Sequence, residues 1–144
     1  MTYTEKAIPT IDMLERLFAE YNKKLFGNEL SMPRFELSHS RSELGRFTCN
    51  VTGRNHYGGD EIITITTRYR YTRYQLLSVL VHEMVHYYLA TKGISPAKHG
   101  KDFKQMAAKL NQCGEFVITK TIDITDYEVV DVSIWQKLSW ALFG

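Results

Sequence analysis

Two histidines four residues apart, with a glutamate directly after the first, form the most chemically informative pattern of the chain: His82-Glu83-Met84-Val85-His86. On an α-helix, residues i and i+4 lie on one face, one turn apart, so both imidazoles could bind a single zinc ion. Glu83 would project beside that ion, where its carboxylate could take a proton from a metal-bound water. The pattern therefore predicts a zinc-dependent hydrolase with Glu83 as general base.

The residues around this motif have the character of a helix. Residues 74–91 contain no proline or glycine, and their apolar side chains recur at helical spacing. The alternative is a helix that carries two surface or core histidines and no metal, and a third ligand candidate downstream weighs against it. The apolar positions are Leu76, Leu77, Leu80, Val81, Met84, Val85, Tyr88 and Leu89.

A catalytic zinc ion commonly has three protein ligands and leaves its fourth position for water. Of the remaining histidines, His39 lies at the end of a predicted strand and His56 in a predicted turn, and we expect both to be exposed and unpaired. His99 opens the next helix, after a loop that must fold back against the motif helix. Gly100 would permit close approach, and Phe103 would anchor that helix in the core. These features favour His99 as the third ligand.

The predicted metal site is thus one Zn²⁺ per chain, bound by His82, His86 and His99. Asp102 and Glu115 are alternative carboxylate ligands. Because Asp102 is one helical turn from His99, its carboxylate could instead accept a hydrogen bond from a ligand imidazole and orient that ring.

The elements that would position these residues can be read along the chain. After an arm at residues 1–9, a helix is predicted from Thr10 or Asp12 to Phe26, with Gly27 as its C-terminal cap. Strands are predicted at residues 35–38, 44–51 and 61–67, with Gly45 as a possible bulge and a turn at residues 53–60.

The remaining predicted elements follow the motif helix. A third helix is predicted at residues 102–111 and ends at Gly114, and residues 116–124 alternate like a strand. The tail, residues 123–144, has apolar residues spaced for a helix. The sequence has no repeat or internal linker, so we predict one α+β domain over residues 1–144.

The bulk composition excludes several classes of protein. A chain of 144 residues with 44% hydrophobic residues and a net charge of +2 suits a single globular domain with no strong electrostatic partner overall. Cys49 and Cys113 form no CxxC pair, so a zinc ribbon is excluded within this chain. No apolar run has the length of a signal peptide core or a membrane span, and we expect a cytoplasmic protein without a membrane partner.

Together, the HExxH motif, a loop and a downstream His-Gly-x-x-Phe resemble the SprT-like zinc metallopeptidases, the family of the Spartan-type proteases. An upstream Leu-Gly strand, Leu44-Gly45-Arg46-Phe47, fits the resemblance, which covers residues 10–115. The Cys-rich zinc ribbon of many relatives is absent, and so is the metzincin third histidine. The matching positions are His82, Glu83, His86, His99, Gly100 and Phe103.

The resemblance implies a zincin-like α+β fold, in which a small, mostly antiparallel sheet packs against helices that include the HExxH helix. It also implies a protein or peptide substrate, bound as an extended strand beside an edge strand. Residues 61–67 are the candidate for that strand, and an interior position in the sheet is the alternative. The oligomeric state is left open.

A cluster of arginines and tyrosines precedes the motif helix. Its cations could meet phosphates while its rings stack on bases of single-stranded DNA, and some relatives act on DNA-bound proteins. The alternative is a solvated connection whose tyrosines pack on the core, and the near-neutral net charge favours it. A non-catalytic, zinc-containing module that binds nucleic acid or protein is the rival class. The candidate nucleic-acid contacts are Arg68, Tyr69, Arg70, Tyr71 and Arg73.

Overall fold

The structure of the protein is a computed structural model that describes residues 5–130. Helix α1 spans Ile11–Phe26, as predicted. Its first turn is capped by Thr10, whose side-chain oxygen accepts a hydrogen bond from the backbone N–H of Met13. Gly27 follows the helix in the left-handed conformation, with φ of 58°, which glycine adopts without strain. Both ends of α1 therefore lie at cap residues that the sequence predicts.

Helix α2, Arg73–Thr91, runs through the centre of the molecule and contains the HEMVH motif. It begins with a capping box, in which Thr72 and Gln75 each bond the other's backbone N–H. Buried residues occupy every side of the helix from Leu76 to Tyr87, so other elements must cover it all round. The motif is consequently held on a rigid, enclosed element.

Helix α3, Lys101–Leu110, packs against α2 and continues into a 3₁₀ turn at Asn111–Cys113. Seven short strands complete the described fold. They are β1 (Arg34–Ser38), β2 (Gly45–Thr48), β3 (Val51–Gly53), β4 (His56–Tyr57), β5 (Ile62–Thr66), β6 (Tyr69–Arg70) and β7 (Glu128–Val129).

The main sheet has the strand order β1-β5-β2 and packs on α2. Strand β5 pairs with β1 in parallel and with β2 antiparallel, so the sheet is mixed, where the sequence predicted a mostly antiparallel one. Because β5 is hydrogen-bonded on both sides, the prediction that residues 61–67 form the edge strand is wrong. The strand β2 lies at the edge instead, directly against α2.

Two predicted elements of this region differ from the structure. The single strand predicted at residues 44–51 is divided, because Asn50 leaves the main sheet and bonds to the backbone of Gly58 and Gly59. The predicted turn contains β4 and the tip of the small hairpin that β4 forms with β3, with Asn55 at φ 60° at that tip. Gly45 is not a bulge, because it keeps a regular register opposite Ile65.

The strand predicted at residues 116–124 is absent. Phe116 and Ile118 are buried and Val117 is exposed, so the alternation in the sequence is real, but no strand within residues 5–130 pairs with this segment. The side chains of Asn111 and Ser78 form hydrogen bonds with its backbone instead. The chain then reaches β7, which pairs with β6. The helix predicted in the tail falls largely on residues 131–144, outside the described residues.

The helices and the main sheet enclose one hydrophobic core. Helix α1 packs against both α2 and β1, and α3 covers another side of α2. The arm joins this body through a two-bond bridge between Ala7 and Tyr71. Within residues 5–130, no helix has the length and apolar character needed to cross a membrane.

Candidate metal centre and active site

The structure brings the side chains of His82, His86 and His99 together. Nε2 of His99 lies 3.0 Å from Nε2 of His86 and 3.2 Å from Nε2 of His82. Two of these histidines come from successive turns of α2, and the third comes from the loop that returns to begin α3. His82 and His86 are buried and His99 is partly exposed. The cluster is therefore open to solvent on the His99 side.

One aromatic ring supports all three imidazoles. The ring centroid of Phe103 lies 4.9 Å from that of His82 and 4.8 Å from those of His86 and His99. Phe103 is buried on the first turn of α3, so the expected anchoring of this helix in the core is observed. Gly100 does not act as expected, because a Cβ added there would meet no atom within 4 Å.

The donor set and its spacing fit a zinc ion. Zinc–nitrogen bonds of 2.0–2.1 Å in a tetrahedral site separate two ligand nitrogens by roughly 3.3–3.4 Å. The two measured separations, 3.0 and 3.2 Å, need to widen only slightly to reach that value. Three imidazoles that converge through the same type of nitrogen therefore form a candidate site for one metal ion.

The surroundings keep the two helix histidines neutral, which is the form that binds a metal. Burial lowers the pKa of His82 to about 4, with a further lowering from His99, and the carbonyl of Thr119 acts in the opposite direction. Burial also lowers the pKa of His86 to about 3, reinforced by the neighbouring imidazoles. The pKa of His99 is lowered by burial and by the charge of Lys120.

The two carboxylates proposed as alternatives do not reach this centre. The carboxylate of Glu115 accepts hydrogen bonds from the ammonium of Lys24 and the hydroxyl of Tyr21, and Lys24 lowers its pKa. Asp102 lies exposed on the first turn of α3, and among the described residues its side chain forms no hydrogen bond with the imidazole of His99. The Nδ1 atoms of both helix histidines are buried and have no hydrogen-bond partner among residues 5–130.

Glu83 lies on the side of α2 that faces strand β2. Its side chain is buried, and burial raises the pKa of its carboxyl to about 8, reinforced by the negative charge of Glu43. The backbone N–H of Phe47 and the charge of Arg46 act in the opposite direction. A cation bound at the nearby imidazoles would also favour the ionised carboxylate, because opposite charges stabilise each other in a buried site.

Gly45 allows this strand to lie close to Glu83. A Cβ at Gly45 would be 2.9 Å from Cγ1 of Val79 and 3.1 Å from Oε2 of Glu83, shorter than contacts that real side chains make comfortably. The sequence shows a glycine at position 45. Which residue of β5 it pairs with, and how close it lies to α2, depend on contacts between residues far apart in the chain. The role of Gly45 is therefore visible only in the structure.

On the side of β2 away from β5, no described strand pairs with its backbone groups. The N–H of Thr66 donates to the carbonyl of Leu44, so in this antiparallel register Arg46 and Thr48 also form the hydrogen-bonded pairs with β5. The N–H and C=O groups of Gly45 and Phe47 consequently point away from β5, and the N–H of Phe47 is directed to the carboxyl of Glu83. Beside the candidate metal centre, the edge of the sheet can therefore accept another extended chain.

The predicted arginine–tyrosine surface is largely internal. Tyr69 and Tyr71 are 5% and 0% exposed and pack edge-to-face with Tyr127, so their rings are not available to stack on bases. The hydroxyl of Tyr71 donates to the carbonyl of Thr66, inside the core. For these two tyrosines, the alternative prediction, that their side chains pack on the core, is confirmed.

Two of the three arginines in that cluster are held by carboxylates. Arg70 lies 3.6 Å from Glu128, and Arg73 lies 3.0 Å from Glu20. Arg68 is partly buried, and its Nε has no hydrogen bond. Near His99 the charge is different, because three lysines within five residues of it in sequence and a fourth that lowers its pKa are exposed, and none forms an ion pair within the described chain. They are Lys98, Lys101, Lys104 and Lys120.

His39 and His56 are both exposed and neither belongs to the three-histidine cluster. His39 is not unpaired, since its Nδ1 lies 3.3 Å from the hydroxyl oxygen of Thr67.

The described residues thus form a small α+β domain built around a candidate three-histidine metal site. Residues 14–126 match the SprT-like family, and the chain belongs to that family. It has no significant match among curated proteins or among solved structures. The family indicated by HExxH and the downstream His-Gly-x-x-Phe is therefore confirmed.

Proposed function

We propose that this protein is a zinc-dependent endopeptidase, with a zincin-like arrangement of its motif helix and edge strand. The observation that carries the proposal is the convergence of three Nε2 atoms beside a buried glutamate on the same helix. A structural zinc site usually has four protein ligands, whereas the described residues bring three together. A free fourth position and an adjacent carboxylate suit hydrolysis better than a structural role.

His82, His86 and His99 would hold the zinc ion. When bound, zinc supplies Lewis acidity, which lowers the pKa of a coordinated water toward about 7 and polarises the substrate carbonyl. Glu83 accepts the proton that the attacking water loses and delivers it to the leaving peptide nitrogen as the C–N bond breaks. Because Glu83 is buried against β2, its carboxylate is held at the edge where the substrate would lie.

Strand β2 would orient the substrate. The outward N–H and C=O groups of Gly45 and the outward C=O group of Phe47 can pair with an extended peptide, as edge strands do in β-augmentation. This arrangement replaces the predicted edge strand at residues 61–67, which is interior. It suits a protein or peptide substrate, because hydrogen bonds to the main chain can form with an extended peptide of any sequence.

We further propose that the substrates include DNA-associated proteins in the cytoplasm. The supporting observation is the group of exposed lysines beside the candidate metal centre, at positions 98, 101, 104 and 120. Positive charge at the mouth of a cleft attracts phosphate and raises the local concentration of a DNA-bound substrate. Buried Tyr69 and Tyr71 are not part of this proposal.

The function is tested by proteolysis of a basic protein substrate on a gel. Zinc-loaded wild type and Glu83→Gln are compared with and without single-stranded DNA. Glu83→Gln keeps the size of the side chain and removes its basicity, so we expect it to retain zinc and to lose at least about 100-fold in rate.

The outcomes separate the two parts of the proposal. Cleavage by wild type with or without DNA, and none by Glu83→Gln, supports the endopeptidase, and stimulation by DNA supports the DNA-associated substrate. A cleavage rate that is the same with and without DNA contradicts only the proposal of DNA-associated substrates. Equal behaviour of wild type and Glu83→Gln in every condition contradicts the endopeptidase and favours the non-catalytic binding module.

A further inference from the structure

A partly open cavity lies beside the face of α2 that carries Glu83. Tyr87 and Ala90 follow Glu83 by four and seven residues, so the three side chains project from one face of the helix. Tyr87 and Ala90 line a cavity of about 190 Å³, together with Phe47 of β2 and the exposed Thr91. The cavity therefore continues the surface of α2 on which the proposed general base lies.

Strand β2 runs beside α2 toward this cavity. Gly45 lies against Val79 and Glu83, whereas two residues later the ring of Phe47 stacks on that of Tyr87, with centroids 5.0 Å apart. A peptide that pairs with the outer edge of β2 would therefore also extend along α2. Every second side chain of that peptide would point to the α2 side of the sheet, as the side chain of Phe47 does.

The distance from Glu83 to the cavity corresponds to a few residues of substrate. Helical residues rise about 1.5 Å each, so Tyr87 and Thr91 are about 6 and 12 Å beyond Glu83 along the axis of α2. An extended peptide advances about 3.3 Å per residue. The cavity is therefore within reach of a substrate side chain about two to four residues from the bond that is cleaved.

The hairpin of β3 and β4 provides another wall of the cavity, through Tyr57. At the base of the hairpin, the N–H of Asn50 donates to the carbonyl of Gly59 at 2.9 Å. At its tip, the carbonyl of Asn55 lies against Gly93, where an added Cβ would be only 2.9 Å from that oxygen. This wall is therefore fixed to the rest of the fold at both ends.

Glu61 gives the cavity a negative charge. Its side chain is half-buried, and its Oε1 accepts a hydrogen bond from the N–H of Gly59 at 2.9 Å. Within residues 5–130, its carboxylate forms no ion pair with a lysine or arginine. Burial, and secondarily the charge of Glu61, raises the pKa of the Cys49 thiol and of the Tyr87 hydroxyl, and both residues line the cavity. Aromatic walls and one carboxylate without a cationic partner thus meet in the same cavity.

A lysine or arginine side chain has the chemistry that matches this cavity. Its methylene groups can pack on apolar surface while its charged end reaches a carboxylate. Cations also lie favourably over the faces of tyrosine and phenylalanine rings. Drug-sized ligands occupy cavities of about 300–1,000 Å³, so a cavity of about 190 Å³ suits a single side chain.

We propose that this cavity is a specificity subsite of the peptidase, which takes a lysine or arginine side chain of the substrate and pairs its cation with Glu61. The inference rests on the proposed function, since it places that side chain relative to a bond cleaved beside Glu83. It adds selection by side chain to the pairing of the substrate main chain with β2. Glu61, 22 residues before Glu83 in the sequence, is then the residue that selects the substrate.

Asp60, the neighbour of Glu61 in sequence, provides a matched control. Its carboxylate lies 3.7 Å from the guanidinium of Arg34, and within residues 5–130 it is not one of the residues that line the cavity. Asp60→Asn removes the same charge as Glu61→Gln, and asparagine, like aspartate, adopts the positive φ of 49° at this position. The two variants therefore have equal net charge, and only Glu61→Gln changes the charge of the cavity.

The test measures kcat/KM of the zinc-loaded enzyme for peptides that differ at one position, which carries lysine, norleucine or glutamate. The position is scanned over four residues on each side of the cleaved bond, which mass spectrometry locates. We expect wild type to prefer lysine over norleucine by about 5- to 10-fold at one position two to four residues from that bond, as an ion pair beside aromatic rings supports. Glu61→Gln should lose most of this preference, Glu61→Lys should favour glutamate, and Asp60→Asn should match wild type.

A binding measurement separates this inference from the proposed function. Fluorescence anisotropy gives the Kd of the same peptides for zinc-loaded Glu83→Gln, with and without Glu61→Gln, and requires no hydrolysis. The preference for lysine should appear in the Kd values of the first protein and be lost in the second. If this pattern is found but wild type cleaves none of the peptides, the endopeptidase fails and the binding of a cationic side chain at Glu61 stands.

Three results would overturn the inference. The first is equal binding and cleavage of lysine and norleucine peptides by wild type at every scanned position. The second is a preference for lysine that Glu61→Gln keeps in full. The third is an equal loss of the preference in Asp60→Asn, which would assign the effect to net charge and not to the cavity.

Discussion

At the scale of single residues, the absence of a side chain at Gly45 decides how closely β2 approaches Glu83. We expect Gly45→Ala to destabilise the fold by about 1–3 kcal/mol, as overpacking of a filled interior does. The added Cβ would press on buried Val79, which has little room to move, and on the Glu83 carboxylate. Displacing that carboxylate should also lower peptide hydrolysis.

Urea unfolding and a peptide hydrolysis assay check this expectation. Gly53→Ala is the control, since its nearest contact would be 3.7 Å, to the side chain of His56, an ordinary van der Waals distance. If Gly45→Ala matches Gly53→Ala in both stability and hydrolysis, the close approach has no consequence for Glu83.

The candidate site was predictable at this scale where chemistry depends on local spacing. The spacing of four residues from His82 to His86 suffices to place both rings on one helix face, and His99 followed from the need for a third ligand. The hydrogen bonds of Asn111 and Ser78 could not be found in this way, because they depend on how a segment without regular structure packs beside α2. The sequence predicted a close approach at Gly100, but a Cβ added there would meet no atom within 4 Å.

At the scale of elements, the start of α2 is fixed by the capping box of Thr72 and Gln75. Thr72→Ala removes the acceptor for the Gln75 N–H, and we expect it to lower the free energy of unfolding by about 1 kcal/mol. The cap lies more than two helical turns before His82, so hydrolysis per folded molecule should not change. The measurement is urea unfolding combined with an active-site titration.

Thr72→Ser is the matched variant, because it keeps the hydroxyl that accepts this hydrogen bond. It should stay close to wild type in stability. A loss as large in Thr72→Ser as in Thr72→Ala would assign the effect to the methyl group of Thr72 and not to the cap.

The elements also show where prediction from sequence ends. The limits of α1 and α2 were predictable because caps and helical periodicity are local signals. The apolar run of β5 indicates burial, but which strands flank it is decided by pairing across nearly thirty residues, from Arg34 to Ile62. The segment at residues 116–124 has the alternation of a strand, yet a strand needs a partner, and the side chain of Asn111 occupies that place.

At the scale of the whole molecule, a metal at the three histidines would join α2 to the loop that opens α3. Metal binding to the folded state alone stabilises it by about 2.7 kcal/mol when the free ion is at 100 times its dissociation constant. We expect Zn²⁺ to raise the midpoint of thermal unfolding and EDTA to reverse the change. His99→Ala removes the ligand from the loop and should lose most of this increment.

Asp102→Asn provides the comparison for His99→Ala. Asp102 is exposed three residues further along, without a hydrogen bond to His99 among the described residues, so its zinc-dependent increment should equal that of wild type. Calorimetry of the three proteins with and without Zn²⁺ distinguishes the cases. An undiminished increment in His99→Ala would place the metal elsewhere, whereas a loss in Asp102→Asn would restore the predicted role of Asp102 in orienting a ligand. We expect neither of these two contradicting results. The ring of Phe103 on α3 contacts all three imidazoles, so orienting them does not require the Asp102 carboxylate.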